Sequence, residues 1–218
     1  MKKFLLVVII LMAAAGLAMG LFFRPPERSE NLQYYKPVIY LYPTEPTEVA
    51  VKLDLAGELT CTWPEYRDGW RVTAHPDGTI EADGGTFGYL FWEGDLAWDF
   101  DMTQGFCVAG KDTAAFLTEA LGALGLTSRE ANEFIAFWLP RMQENPWNLI
   151  AFQTDAYEAS ARLTVTPAPD SMLRVFMTYK ALAKPVEIPP QTLAPFTREG
   201  FAVVEWGGCL LPYEIKRR

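Results

Sequence analysis

The chain has 218 residues, with 27 acidic against 19 basic side chains and a formal charge of −8. An acidic surface repels phosphate backbones and anionic lipid, which sets aside nucleic acid as a partner. Half of the residues are hydrophobic and 14% are aromatic, enough for one full core with rings to spare for a surface.

Lys2 and Lys3 precede an uncharged apolar run from Phe4 to Phe23, closed by Arg24-Pro25-Pro26. As a helix this run would extend roughly 30 Å, the thickness of a bilayer's hydrocarbon core. It reads as an uncleaved, single-pass anchor in the cell membrane, with the C-terminal part of the chain outside the cytoplasm. A cleavable signal is the alternative, because Ala18-Met19-Gly20 offers the small residues a signal peptidase needs; the product would then be secreted or periplasmic. Cleavage there would leave Leu21-Phe22-Phe23 as an apolar stub, which favours the anchor. Residues 24–35 read as a linker and residues 36–218 as a single domain. Loss of residues 1–20 removes two lysines and no acids, taking the charge to −10.

Strand patterns open the domain. Val38 to Leu41 is a short apolar run, and Val49, Val51, Leu53 and Leu55 alternate with Ala50, Lys52 and Asp54. Trp70 to Ala74 and Thr79 to Ala82 flank Pro76-Asp77-Gly78, which is hairpin chemistry. Gly88 to Trp92 and Phe106 to Ala109 are further strands. The middle is helical: Asp112 is placed to cap a helix with Phe116, Leu117, Ala120, Leu121 and Leu124 on its apolar face, ended by Gly125. Thr127 and Glu130 have capping-box spacing before a second helix carrying Ala131, Phe134, Ile135 and Trp138, and Pro140 should end or kink it. Strands resume at Leu149 to Phe152, Ala161 to Val165, Leu173 to Tyr179 and Phe201 to Trp206, with 167–171 as a hairpin-type connection. Four prolines make residues 184–198 an irregular crossing loop. The pattern predicts an α+β fold: mainly antiparallel sheet with an inserted helical hairpin, preceded by the N-terminal apolar helix.

Three strings stand out: Lys36-Pro37-Val38-Ile39-Tyr40-Leu41-Tyr42-Pro43, Leu90-Phe91-Trp92-Glu93-Gly94 and Val204-Glu205-Trp206-Gly207-Gly208. Together with Gly105-Phe106 and residues 137–142 they resemble an uncharacterised family of bacterial proteins that typically carry an N-terminal export segment. The likeness runs over most of residues 36–208. It implies an intact, exported envelope domain, and no activity or site residue comes with it.

Glu93 and Glu205 are the strongest catalytic candidates. Each sits at an aromatic strand end beside Trp and Gly, where poor hydration raises a carboxyl pKa and suits it to acid–base work. Facing one another across a cleft, they would form the carboxylate pair of a glycan-directed hydrolase. The preferred account is structural, with Arg141 or Arg174 as counter-ion. His75, the only histidine, adjoins the Pro-Asp-Gly turn and reads as a hairpin-tip residue, with Asp77 or Asp83 the groups that would orient it as a base. Cys107 or Cys209 with His75 is a formal thiol dyad. Asp95, Asp99 and Asp101 form an acidic stretch that lacks EF-hand spacing. No phosphate-binding glycine motif and no Cys/His metal spacing occurs, so no cofactor or metal is implied. Cys61, Cys107 and Cys209 read as unpaired thiols. The leading expectation is an envelope-exposed, membrane-tethered module that binds a protein or glycan ligand through aromatic and acidic surface.

Overall fold

The computed structural model of the protein describes residues 32–96 and 100–211. The expected anchor at 1–23, most of the linker and Asp99 lie outside the described residues. Among those described, no helix is long and apolar enough to cross a membrane.

Among the described residues, twelve strands form two sheets. In chain order they are β1 (Leu32–Tyr42), β2 (Thr47–Leu55), β3 (Gly57–Trp63), β4 (Trp70–Ala74), β5 (Ile80–Ala82), β6 (Gly85–Phe87), β7 (Leu90–Leu96), β8 (Phe106–Ala109), β9 (Trp147–Gln153), β10 (Ala161–Thr166), β11 (Ser171–Leu182) and β12 (Ala202–Leu210). Helices α1 (Thr113–Leu124) and α2 (Ser128–Met142) separate β8 from β9, and the short α3 (Asp155–Ser160) separates β9 from β10. The larger sheet has the order β3-β7-β1-β12-β11-β9-β8, and the smaller β10-β2-β4-β5-β6. All pairings are antiparallel except β11 with β12. The fold is therefore broadly α+β, strand-rich, with a few helices.

Side-chain alternation explains the layering. On one face of the large sheet, Ile39, Leu41, Leu90, Trp92, Val203 and Cys209 pack against Val49, Val51, Val72 and Ile80 of the small sheet. On the other, Val38, Tyr40, Val204 and Trp206 pack against Leu117, Leu121, Phe134 and Trp138 of the helical hairpin. The central strand β12 is consequently buried at eight of its nine positions, because both of its faces are covered. Gly208 serves this packing: a Cβ there would lie 2.8 Å from the Trp138 ring and 2.4 Å from the Met177 carbonyl. The three strings that carry the family likeness are β1, β7 and β12, three neighbouring strands of this sheet. In β12 and the middle of β1 that aromatic richness is that of a twice-covered core, whereas β7 buries only alternate residues.

Local signals behave as their chemistry dictates, with exceptions. Thr127 and Glu130 form the full capping box, and Gly125 closes α1 in the left-handed region at φ 98°. Asp112 makes no side-chain cap, because a 3₁₀ turn at Gly110–Asp112 already holds it in helical geometry. Pro140 does not stop α2, which runs on to Met142; so near the C-terminus its missing N–H costs a single ladder bond. β1 begins at Leu32, inside the segment expected to be linker, because Leu32 pairs with Leu96 and Tyr35 with Gly208. Residues 167–171 are not a hairpin connection: β10 pairs with β2, while β11 lies between β9 and β12, so the segment passes between sheets. Turn chemistry is local and cannot say which sheet the next strand joins. β3, β6 and α3 were not anticipated.

Candidate functional site

Glu205 lies on the face of β12 that meets the small sheet, and it is fully buried. Its carboxylate accepts three hydrogen bonds: from Arg174 Nε at 2.7 Å, Tyr157 Oη at 2.9 Å and Trp92 Nε1 at 3.0 Å. Arg174 is its register partner on β11, and the two side chains are 5% and 1% exposed. The guanidinium also lies 4.5 Å from the centre of the Tyr157 ring. Burial opposes the charge on Arg174, yet Glu205 and Tyr157 hold its pKa above the usual arginine value. Burial and the Glu205 charge both push the Tyr157 phenol well up, which keeps it a donor. This is a closed polar knot between sheets. A carboxylate with three protein donors and no solvent access has little capacity left for a substrate proton.

Glu93 does not meet it. Trp92 points into the inter-sheet core, so its neighbour Glu93 projects from the opposite face of β7. The expected pair therefore sits on two faces of one sheet, with no shared cleft. Glu93 is half-buried; burial raises its pKa, opposed by the Lys36 backbone N–H. Arg141 pairs with neither carboxylate: its guanidinium lies 3.9 Å from the Phe137 ring centre on the surface of α2.

The other candidates are also dispersed. His75 is half-buried, with Nε2 3.3 Å from Glu81 Oε1, within ion-pair reach but without hydrogen-bond alignment. Its neighbour Asp77 instead accepts from Thr79 N–H and shapes the turn. Cys107 is on β8 and Cys209 is buried in β12, both in the large sheet, whereas His75 follows β4 in the small one. Asp101 is occupied by the Thr103 backbone and hydroxyl. Among the described residues, no three His, Cys, Asp or Glu side chains gather closely enough to hold a metal ion.

What remains open is the β3 edge of the large sheet. Glu93 stands directly opposite Cys61, and Phe91 opposite Trp63, on this outermost strand. Trp63 is 61% exposed, the most exposed large hydrophobic side chain among the described residues, and its ring meets Phe87 at 75° with centroids 5.8 Å apart. On β1, two strands in, Lys36 Nζ lies 5.3 to 5.6 Å from the ring centres of Trp206, Phe137 and Tyr89. Lys36 turns inward there because β1 bulges between Tyr35 and Val38, with Lys36 at φ 52°. Burial lowers its pKa, opposed by Glu133, while the ring faces favour the cation. Trp63 carries a strand signal in the sequence that the expectations above do not use: Thr60, Thr62 and Trp63 are β-branched or aromatic, in a run bounded by Gly57 and Pro64.

No family model matches the chain, and no solved structure matches it. Over 63 residues it is 54% identical to a Butyrivibrio fibrisolvens protein described as "Uncharacterized protein in bglA 3'region". That match covers 28% of this chain and 66% of the relative, just short of two thirds of its length. The chain is thus similar, over part of its length, to an uncharacterised bacterial protein.

Proposed function

We propose that this protein is a membrane-tethered, extracytoplasmic interaction module whose working surface is the β3 edge around Trp63. The apolar run from Phe4 to Phe23 behind Lys2 and Lys3 supports the tether. The exposure of Trp63 at the end of an outermost strand supports the surface, and it is the observation that carries the reading. Large rings held in place yet left in water are the usual anchors of protein contacts. Glycan hydrolysis finds no support at Glu93 and Glu205, which lie on opposite faces of one sheet.

The test is photo-crosslinking in intact cells from position 63, with position 162 on exposed Arg162 of β10 as control. Adducts that form from position 63 and not from 162 are the expected result. Equal labelling from both, or none from 63, contradicts the reading. Retention of the full chain in alkali-washed membranes checks the tether, and its release into the soluble fraction contradicts it.

A further inference from the structure

The large sheet treats its two edges differently. Along the β8 side runs the crossing segment between β11 and β12. Gly105 N–H donates to the Pro189 carbonyl at 2.9 Å, and Val186 N–H donates to Cys107 Sγ at 3.4 Å. The Gln191 side-chain amide acts as a substitute strand for Phe152, accepting from its N–H at 2.8 Å and donating to its carbonyl at 2.6 Å. Pro185, Pro189, Pro190 and Pro195 in this segment have no N–H to offer another chain. That edge is covered.

The β3 edge is not. Among the described residues β3 pairs only with β7, so its outer backbone groups have no strand partner. Edge strands are usually guarded by lysine, proline, a bulge or brevity. Here a bulge at Thr60, between the Leu59–Gly94 and Cys61–Glu93 pairs, and one charge, the acidic Glu58, are present. Leu59 to Trp63 contains neither lysine nor proline, and three of its five residues, Thr60, Thr62 and Trp63, are β-branched or aromatic.

We propose that the outer edge of β3 accepts an extended, basic peptide segment of another protein as an added strand. This rests on the interaction reading above and names its mode and partner. Charge selects the partner. Glu58 is exposed on β3, Glu93 and Asp95 stand behind it on β7, and Asp68 follows β3 on the surface. Arg67, the cation nearest in sequence, is already taken by Glu65 and Asp83. A second copy of a chain with charge −8 would set like charges opposite one another, which is unfavourable across a ladder. Lysines and arginines at alternate positions of an incoming strand would meet these acids, backbone hydrogen bonds would supply affinity, and Trp63 would seat a side chain.

The test is hydrogen exchange of residues 57–63 in the full-length chain held in detergent, with three blocked peptides of about nine residues. One alternates Lys with Val, one alternates Glu with Val, and one repeats the first with every backbone nitrogen methylated, which cannot donate to a ladder. Only the Lys–Val peptide should slow exchange at 57–63, by about tenfold, with the effect reduced in Trp63→Ala. Equal slowing by the methylated peptide would reveal mere charge adhesion and overturn the proposal, as would no slowing at all. Slowing that follows protein concentration, with a doubled mass, would assign the edge to a second copy and likewise overturn it. Absent slowing with persistent crosslinks from position 63 rejects strand addition and leaves the interaction reading; absence of both rejects both.

Discussion

Arg174 and Glu205 stand directly opposite one another on the parallel pair β11–β12, with Nε 2.7 Å from Oε2 in the sealed space between two sheets. Such a pair need not stabilise a fold more than apolar residues of the same size would. Its partial removal is costly, because it strands a buried charge. Arg174 Nη2 already lacks a partner, so the knot has no spare acceptor to absorb a change.

Glu205→Gln and Arg174→Met should therefore each lower unfolding stability by about 3–5 kcal/mol. The double variant Arg174→Met/Glu205→Leu should recover a large part of that loss, since neither partner is then left charged. Urea titration of the three variants checks this. A neutral Glu205→Gln would remove the structural role assigned to the carboxylate.

Glu130 and Glu93 should give pH dependences of opposite sign. Burial is the largest influence on Glu130 and raises its pKa, but Arg198, the Thr127 N–H and Tyr42 together hold it below the ordinary 4.5. Its contribution is present above about 4.5 and is lost as pH falls through the lower folded value. Burial lifts Glu93 above the ordinary 4.5, so its contribution is present below that value and is lost as pH rises through the raised one. Relative to the unaltered chain, the Tm of Glu130→Gln should fall as pH rises from about 3 to 7, and that of Glu93→Gln should rise. Parallel curves would contradict both assignments.

The crossing segment is fastened to the helices by Arg198, which donates to Glu130 and to the Gly125 carbonyl, and to β9 by Gln191. Gln191→Ala should speed amide exchange at Phe152 while leaving α1 unchanged, because only one side-chain amide covers that N–H. Arg198→Ala should instead lower global stability, leaving the buried Glu130 carboxylate with two donors fewer. Residue-resolved exchange separates the two effects.

Thiol labelling should be ordered by position. Cys61 is exposed on β3, Cys107 is half-buried beneath the crossing segment, and Cys209 is buried with its pKa pushed well up by burial. Cys61 should react first and Cys209 only on unfolding. Early labelling of Cys209 would contradict the packing of β12.

Much of the fold was legible because local chemistry decides it. The capping box at Thr127 and Glu130, the Gly125 stop, the Pro-Asp-Gly turn and the alternation from Val49 to Leu55 are short-range signals that packing left intact. Where partners are distant, less is legible. A carboxyl beside Trp206 fits catalysis or a structural ion pair alike, and the donors that decide it come from β7, α3 and β11, up to 113 residues away. The opposed faces of Glu93 and Glu205 follow from strand alternation alone once both lie in one sheet, yet the sequence does not say that β7 and β12 flank β1. Arg174 was foreseen as a counter-ion, whereas Tyr157 was hidden in a six-residue helix without a side-chain cap.

The most direct measurement is hydroxyl-radical footprinting of Trp63 in intact cells against the purified chain. A ring 61% exposed should oxidise readily when purified. If the β3 edge is the working surface, Trp63 should be protected in cells while other exposed side chains react equally in both settings. Equal oxidation of Trp63 in cells and in isolation would contradict the account.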